Sequence, residues 1–326
     1  MKKIGLTGIW FPEAYQMLHE SVPAGMELVD AVRPEDAGRL SDCDYLITRL
    51  TLDGSLAKRT PKLRLLQLWG AGYEYVDLAA WGRRGIPVCN CPGVNAGIVS
   101  ELAVMLMLAG YRNLLQINRD LRRGHFPRTE YFGRSYMLRG KTVGILGLGR
   151  IGRRVAGLVS AFGAKVIYYD IVRQREQEER FGYRFVDFGT LLSESDILSI
   201  HCPLKEDTRG MIGPAEFAAM KKSAMLINTA RGPIVDEDAL VHALRTGQIA
   251  LAGLDVYAKE PIPADHPLLT MDNVVASAHA GGNTADNTRN MVDYVMGNIA
   301  AFDAGASINS PEDVVNRAFL EEGAIL

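Results

Sequence analysis

The stretch that most restricts the fold is Lys141–Asp170, KTVGILGLGRIGRRVAGLVSAFGAKVIYYD. An apolar run of strand length, Thr142–Leu146, leads into Gly147-Leu148-Gly149-Arg150-Ile151-Gly152. An amphipathic segment then reaches Phe162, and a second apolar run, Lys165–Tyr169, is closed by Asp170. Strand, glycine turn, helix and strand in this order make a βαβ unit of the dinucleotide-binding kind. Each glycine has its own task. Gly147 allows the tight turn, Gly149 lets a pyrophosphate approach the backbone, and Gly152 lets the helix pack on the strand. The helix N-terminus adds unpaired N–H groups and the positive end of its dipole. Asp170 is placed to accept hydrogen bonds from a ribose diol, and its charge would repel a 2′-phosphate. That favours NAD over NADP, although Arg173 just beyond leaves the second cofactor open.

The chain has 326 residues, enough for two domains with separate cores. A hydrophobic content of 48% with 23% charged residues is that of a soluble globular protein. A formal net charge of −2 leaves no basic footprint for nucleic acid. No apolar run reaches membrane-spanning length, and MKKIGLTGIW reads as a first strand, not as a signal peptide. Cys43, Cys89, Cys91 and Cys202 make neither a disulfide framework nor a zinc set, so reduced thiols, a cytoplasmic location and no metal are expected.

Ahead of the glycine turn, short apolar runs at 3–7, 27–30, 45–48, 63–68 and 86–89 alternate with helix-like segments at 12–20 and 76–82. This is the rhythm of a parallel sheet with crossover helices. One long helix, apolar nearly all round and therefore buried, is expected over 94–118. After Asp170 come a charged helix over 172–180, strands at 196–200, 225–228, 251–255 and 274–276, and a capped helix over 236–246. A last helix over 287–304 would return to the first domain, where the tail from Ile308 would pack. The expected fold is α/β: two doubly wound parallel-sheet domains, with the Rossmann nucleotide domain (96–289) inserted into a discontinuous, flavodoxin-like substrate domain (1–95 plus 290–326).

In an open parallel sheet, ligands sit beyond the carboxyl ends of the strands. Three charged residues follow strands there: Arg231 after LINTA, Glu260 in DVYAKEP, and His279 in VASAHAGG. Taken one at a time, each is as readily a surface partner or a structural side chain. Taken together beside a nucleotide turn, they suit hydride chemistry. An arginine fork binds a carboxylate bidentately and polarises an adjacent carbonyl. A histidine can give a proton to the forming alkoxide, and a glutamate beside it orients the ring and favours its protonated form.

At these residues the sequence resembles the D-isomer-specific 2-hydroxyacid dehydrogenases, the family of D-3-phosphoglycerate, glyoxylate/hydroxypyruvate and D-lactate dehydrogenases. The match runs from about Tyr45 to Asn316. It includes Gly70-Ala71-Gly72, Asn95 with Ser100-Glu101, the glycine turn with Asp170, His201-Cys202-Pro203-Leu204, NTARG, GLDVYAKEP and the His279 segment. The resemblance implies reversible hydride transfer between NAD and a small D-2-hydroxy or 2-oxo acid. Arg231 would hold the carboxylate and carbonyl, His279 would be the acid or base, and Glu260 its partner. Ala71 and Gly72 would bind the acid through backbone N–H groups, and Arg49 is retained as a further substrate contact. Arg150 and Ile151 would meet the pyrophosphate, while Cys202, Thr229 and Asp255 would line the nucleotide groove, Asp255 on the carboxamide. A homodimer built on the apolar Glu101–Ala109 region is implied as well. Two departures stand out: Ala278 where the family usually has proline, and Glu74-Tyr75 where it usually has Asp-Asn. The competing readings are a phosphite-type dehydrogenase with the same Arg/Glu/His set, and a non-catalytic NAD-sensing protein of the same fold.

Overall fold

The computed structural model describes residues 1–49 and 55–320. They divide into two compact units: a discontinuous one of Met1–Asn95 with Gly282–Leu326, and an inserted one of Ala96–Gly281. The second junction lies ahead of the 289–290 boundary read from the sequence, because the whole of the last helix packs with the discontinuous unit.

The discontinuous unit opens with β1 (Lys2–Gly8), α1 (Pro12–Glu20), β2 (Met26–Asp30) and β3 (Tyr45–Arg49). It continues with α2 (Ser55–Arg59), β4 (Leu65–Leu68), α3 (Leu78–Gly82) and β5 (Val88–Cys89). The strands form one parallel sheet in the order β2-β1-β3-β4-β5, the flavodoxin-like order. Tyr45–Thr48 and Leu65–Leu68 are buried throughout, as strands covered on both faces must be. The tail seals the exposed edge at β5. Asn316 Oδ1 accepts from Val88 N–H at 2.8 Å and its Nδ2 donates to Ile86 O at 2.9 Å, beside backbone bonds from Val315 N–H to Val88 O and from Asn90 N–H to Asp313 O, each at 2.9 Å. Of the tail expected to pack here, residues 321–326 lie outside the described residues.

The inserted unit begins with α4 (Ala96–Tyr111) and α5 (Leu114–Arg122). The Rossmann pattern follows as β6 (Thr142–Leu146), α6 (Arg150–Ala161), β7 (Lys165–Tyr169), α7 (Arg175–Phe181), β8 (Arg184–Phe185), α8 (Phe188–Glu194) and β9 (Ile197–Ile200). Then come α9 (Pro214–Ala219), β10 (Met225–Asn228), α10 (Glu237–Thr246), β11 (Leu251–Leu254) and β12 (Val274–Ala276), before α11 (Ala285–Asp303) returns to the discontinuous unit. Seven parallel strands run β12-β11-β10-β9-β6-β7-β8, so the order reverses between β6 and β9. A ligand crevice belongs at that switch point.

One expectation is corrected. The helix read over 94–118 is two helices, α4 and α5, meeting at 62°. Asn113 stands between them with φ 50°, a left-handed conformation that asparagine tolerates better than most residues. Its Nδ2 fixes the bend by donating to Arg134 O at 3.0 Å and to Ser135 Oγ at 3.1 Å. Nor is α4 covered on every side. Ala103, Leu106 and Met107 are buried against α6, β10 and β11 of its own unit, whereas Met105 is 53% exposed. Among the described residues no single helix is long and apolar enough to cross a membrane.

Candidate active site

The two sides of the switch point are built differently. On the β6 side the backbone makes the site. Gly147 takes φ +93°, and a Cβ there would stand 2.7 Å from Cys202 N, at the end of β9. A Cβ on Gly152 would stand 2.1 Å from Gly147 O, which is the close helix-to-strand approach the sequence implied. A Cβ on Gly149 would meet nothing within 4 Å. Gly149 is the N-cap of α6 and supplies no side-chain cap, so the first-turn N–H groups face a space that phosphate oxygens can fill. Arg150 and Ile151 open that turn, Arg150 exposed and Ile151 half-buried.

Asp170, just past β7, holds the glycine turn in place. Its Oδ2 accepts from Leu148 N–H at 2.7 Å and its Oδ1 from Val172 N–H at 3.2 Å. Each oxygen keeps a further lone pair for a ribose hydroxyl. Arg173 is turned away onto Glu178, at 2.7 and 2.9 Å, and lies over the Phe185 ring. Cys202 lies beside Gly147, with its thiol pushed up to about 11 by burial. Next to it, His201 pairs with Ser199 Oγ at 2.8 Å. Burial of the ring lowers it to about 3, so it is neutral at any working pH. Thr229, past β10, is buried with a hydroxyl oxygen that has no hydrogen-bond partner among the described residues. Open space at Gly149, an uncapped helix end and an unspent hydroxyl at the crevice fit a dinucleotide.

On the other side three neighbouring strand ends present charged side chains. The turn carrying Arg231 is folded by buried Asn228, whose Nδ2 donates to Arg231 O at 2.9 Å while its Oδ1 accepts from Ala230 N–H at 3.0 Å. Arg231 is half-buried at the end of β10. Glu260 and His279 follow β11 and β12, and His279 Nδ1 lies 2.6 Å from Glu260 Oε2. The two side chains are 35% and 50% exposed, so the pair is open to an incoming ligand. Glu260 Oε1 accepts from Tyr257 N–H at 3.0 Å, which leaves Oε2 for the ring. The loop before it is gripped from behind by Glu237, whose Oε2 accepts from Ala258 N–H at 3.0 Å and whose Oε1 pairs with His266 at 3.2 Å.

Asp255 lies after β11, 2% exposed, with both carboxylate oxygens engaged. Oδ1 accepts from Ser277 Oγ at 2.7 Å and from Ala280 N–H at 2.9 Å, and Oδ2 from Gly281 N–H at 3.0 Å. Its backbone carbonyl also accepts from His279 N–H at 2.7 Å. The visible work of Asp255 is thus to hold the histidine loop. Tyr257, Ser277 and Glu237 were given no role from the sequence. Their contacts reach the loops after β11 and β12 from the next strand end and from α10, and no residue pattern along the chain announces them.

Arg49, Ala71 and Gly72 belong to the discontinuous unit. Arg49 ends β3, with its guanidinium over the Phe11 ring and donating to Ile9 O at 3.2 Å. Gly70 takes φ +124°, and Ala71 O accepts from buried Asn90 Nδ2 at 2.7 Å, which fixes the Gly70–Gly72 turn beyond β4. Among the described residues no group of three His, Cys, Asp or Glu could hold a metal ion.

Residues 104–281 match the family model described as D-isomer specific 2-hydroxyacid dehydrogenase, NAD binding domain. A glyoxylate reductase from Aeropyrum pernix is 39% identical over 318 residues, covering 94% of this chain and 93% of that one. Among solved structures, an NADPH-dependent glyoxylate/hydroxypyruvate reductase from Sinorhizobium meliloti superposes with a TM-score of 0.85 at 30% identity, covering 98% of this chain and 100% of that one. The D-lactate dehydrogenase of Lactobacillus jensenii, solved with NAD+, gives a TM-score of 0.81 at 30% identity over 94% and 98% of the two chains.

Proposed function

Since the chain belongs to the D-isomer-specific 2-hydroxyacid dehydrogenases, we propose that it interconverts a small D-2-hydroxy acid and its 2-oxo acid by means of Arg231, Glu260 and His279. The observation that carries this reading is the 2.6 Å contact between His279 Nδ1 and Glu260 Oε2, one strand away from Arg231. With Nδ1 engaged, Nε2 is the ring atom that gives a proton to the alkoxide in reduction and takes it back in oxidation. Glu260 fixes the ring and offsets its charge when both nitrogens are protonated. The Arg231 fork binds the carboxylate and draws electron density from the adjacent carbonyl. The nicotinamide cofactor, when bound, supplies or accepts the hydride. The backbone N–H groups of Ala71 and Gly72, with Arg49, are proposed to help bind the acid.

For the cofactor we assign NAD. The Asp170 carboxylate stands at the end of β7, and Arg173, the nearby cation that could serve a 2′-phosphate, is committed to Glu178 and Phe185. Gly149, Arg150 and Ile151 would meet the pyrophosphate in the turn that Gly147 and Gly152 shape, while Cys202, Thr229 and Asp255 would flank the crevice. A homodimer is proposed on α4 and α5, where Met105 and Leu114, 53% and 56% exposed, edge an apolar hollow with Val104 and Leu108. Four unpaired thiols suit a reducing compartment, and the cytoplasm is the proposed location.

Initial rates with glyoxylate, hydroxypyruvate, pyruvate, phosphohydroxypyruvate and phosphite, each with both cofactors, test the assignment. Turnover of at least one 2-oxo acid with NADH is expected. Turnover of phosphite alone would replace the substrate class, and NADH binding without any turnover would point to a sensor.

A further inference from the structure

We propose that Tyr257 is a positioning residue that keeps the loops of Arg231, Glu260 and His279 in register, taking over the stiffening that a proline ahead of the histidine would provide. The inference rests on the catalytic reading of those three residues. Tyr257 meets each of their loops with a different atom. Its backbone N–H donates to Glu260 Oε1 at 3.0 Å. Its hydroxyl donates to Ser277 O at 2.7 Å, two residues ahead of His279. Its carbonyl group lies so close to Gly232, the neighbour of Arg231, that a Cβ there would stand 1.9 Å from it. The residue itself is buried, 5% exposed. Burial also pushes its hydroxyl up to about 12, so it remains a donor across the working range.

The need for such a contact lies in the histidine loop itself. His279 takes φ 49°, in the left-handed region that L side chains avoid, and such a conformation persists when surrounding contacts over-determine it. A proline at 278 would fix its own φ and restrict Ser277, leaving the segment ahead of His279 few conformations to lose. Ala278 does neither. Instead the loop is tied from outside. Tyr257 holds the Ser277 carbonyl, and Asp255 holds the Ser277 hydroxyl and the N–H groups of His279, Ala280 and Gly281. Asp255 secures the loop to its own strand end, whereas Tyr257 sets its distance from Glu260. That distance decides whether Nδ1 and Oε2 meet.

If Tyr257 only filled space, phenylalanine would serve as well, so Tyr257→Phe is the deciding variant. We expect kcat to fall about 10-fold, because misplacement of a catalytic group by a fraction of an ångström costs rate and not affinity. KM for NADH should stay as it is, and the melting temperature should fall by no more than about 2–4 °C, the loss expected for one buried hydrogen bond. In an Ala278→Pro chain the same substitution should cost about 3-fold or less, since contacts that share a task are not additive. Ala278 is exposed, so the ring has room. An unchanged kcat in Tyr257→Phe, a kcat loss accompanied by a melting temperature lower by about 10 °C or more, or an equal loss in both backgrounds overturns the proposal. Should Ala278→Pro fail to fold, the kcat, KM and melting data of Tyr257→Phe decide alone. His279→Ala separates the two levels. If it keeps its turnover, the acid/base reading fails; if it is inactive while Tyr257→Phe is normal, the positioning role alone is lost.

Discussion

The β6–β7 half of the inserted sheet and its β10–β12 half face the same crevice with opposite means. Beyond β6 the proposed binding surface is bare backbone, three glycines and an uncapped helix end, with one carboxylate steadying it from the next strand. Beyond β10, β11 and β12 the surface is side chains, and each is held by a further layer: Asn228 behind Arg231, Tyr257 and Glu237 behind Glu260, Asp255 and Ser277 behind His279. A phosphate needs close approach and oriented N–H groups, which the chain delivers by omitting atoms. Proton transfer needs a particular nitrogen at a particular place, which takes several bonded neighbours.

The largest test of this contrast is His279→Ala. Losing the proton donor should lower kcat about 10²–10⁴-fold with cofactor binding intact, measured by NADH oxidation and by NADH fluorescence titration. Near-normal turnover would remove the side-chain half of the comparison.

Gly149→Asp probes the opposite half. Its side chain enters open space and can cap α6, a gain of a few tenths of a kcal/mol over glycine. It also puts a negative charge where the pyrophosphate belongs. The expected outcome is an unchanged or slightly raised melting temperature with NADH affinity reduced about 100-fold or more; tight NADH binding by this variant would mean that the phosphates sit elsewhere.

Gly152→Ala should do the reverse. Alanine gains about 1 kcal/mol in helix propensity, but its Cβ would meet the Gly147 carbonyl oxygen at 2.1 Å, and backbone cannot give way as a side-chain tip can. Overpacking of this kind typically costs about 1–3 kcal/mol. A lower denaturation midpoint is therefore expected, and a midpoint at or above that of the natural chain contradicts the packing.

The last test reads stability against pH alone and concerns His201, between the two halves. Its ring stays neutral in the fold down to about pH 3, while in the unfolded chain it binds a proton below its ordinary 6.5. The unfolded state thus holds more protons in that window. The contribution is fully present above 6.5 and is lost as pH falls toward about 3, by about 1.4 kcal/mol per pH unit. His201→Gln should flatten the fall of the melting temperature between about pH 6 and pH 4, and equal slopes in the two proteins would show that the ring is protonated in the fold.

Much of this was legible along the chain. The glycine turn, Asp170, and the strand-end positions of Arg231, Glu260 and His279 could be read because each follows from a local rule: a period, a turn residue, a charge at the end of an apolar run. The apolar stretch around Asn113 reads as one helix along the chain and is two in the fold, since a single left-handed residue leaves hydrophobic spacing undisturbed. Asp255 follows the apolar run of β11, as local spacing implies, yet its engagement by Ser277, Ala280 and Gly281 depends on two strands lying side by side.

What the sequence by itself determined is therefore the backbone half of the crevice and the identity of the charged groups, because glycines and strand ends act through neighbours in the chain. The tertiary structure decided which of those groups meet. Sheet order brings the ends of β10, β11 and β12 together, and only there does Tyr257, in the loop of Glu260, reach Gly232 and Ser277, about 20 residues or more away along the chain. Contacts of that separation are fixed by packing, on which local spacing is silent.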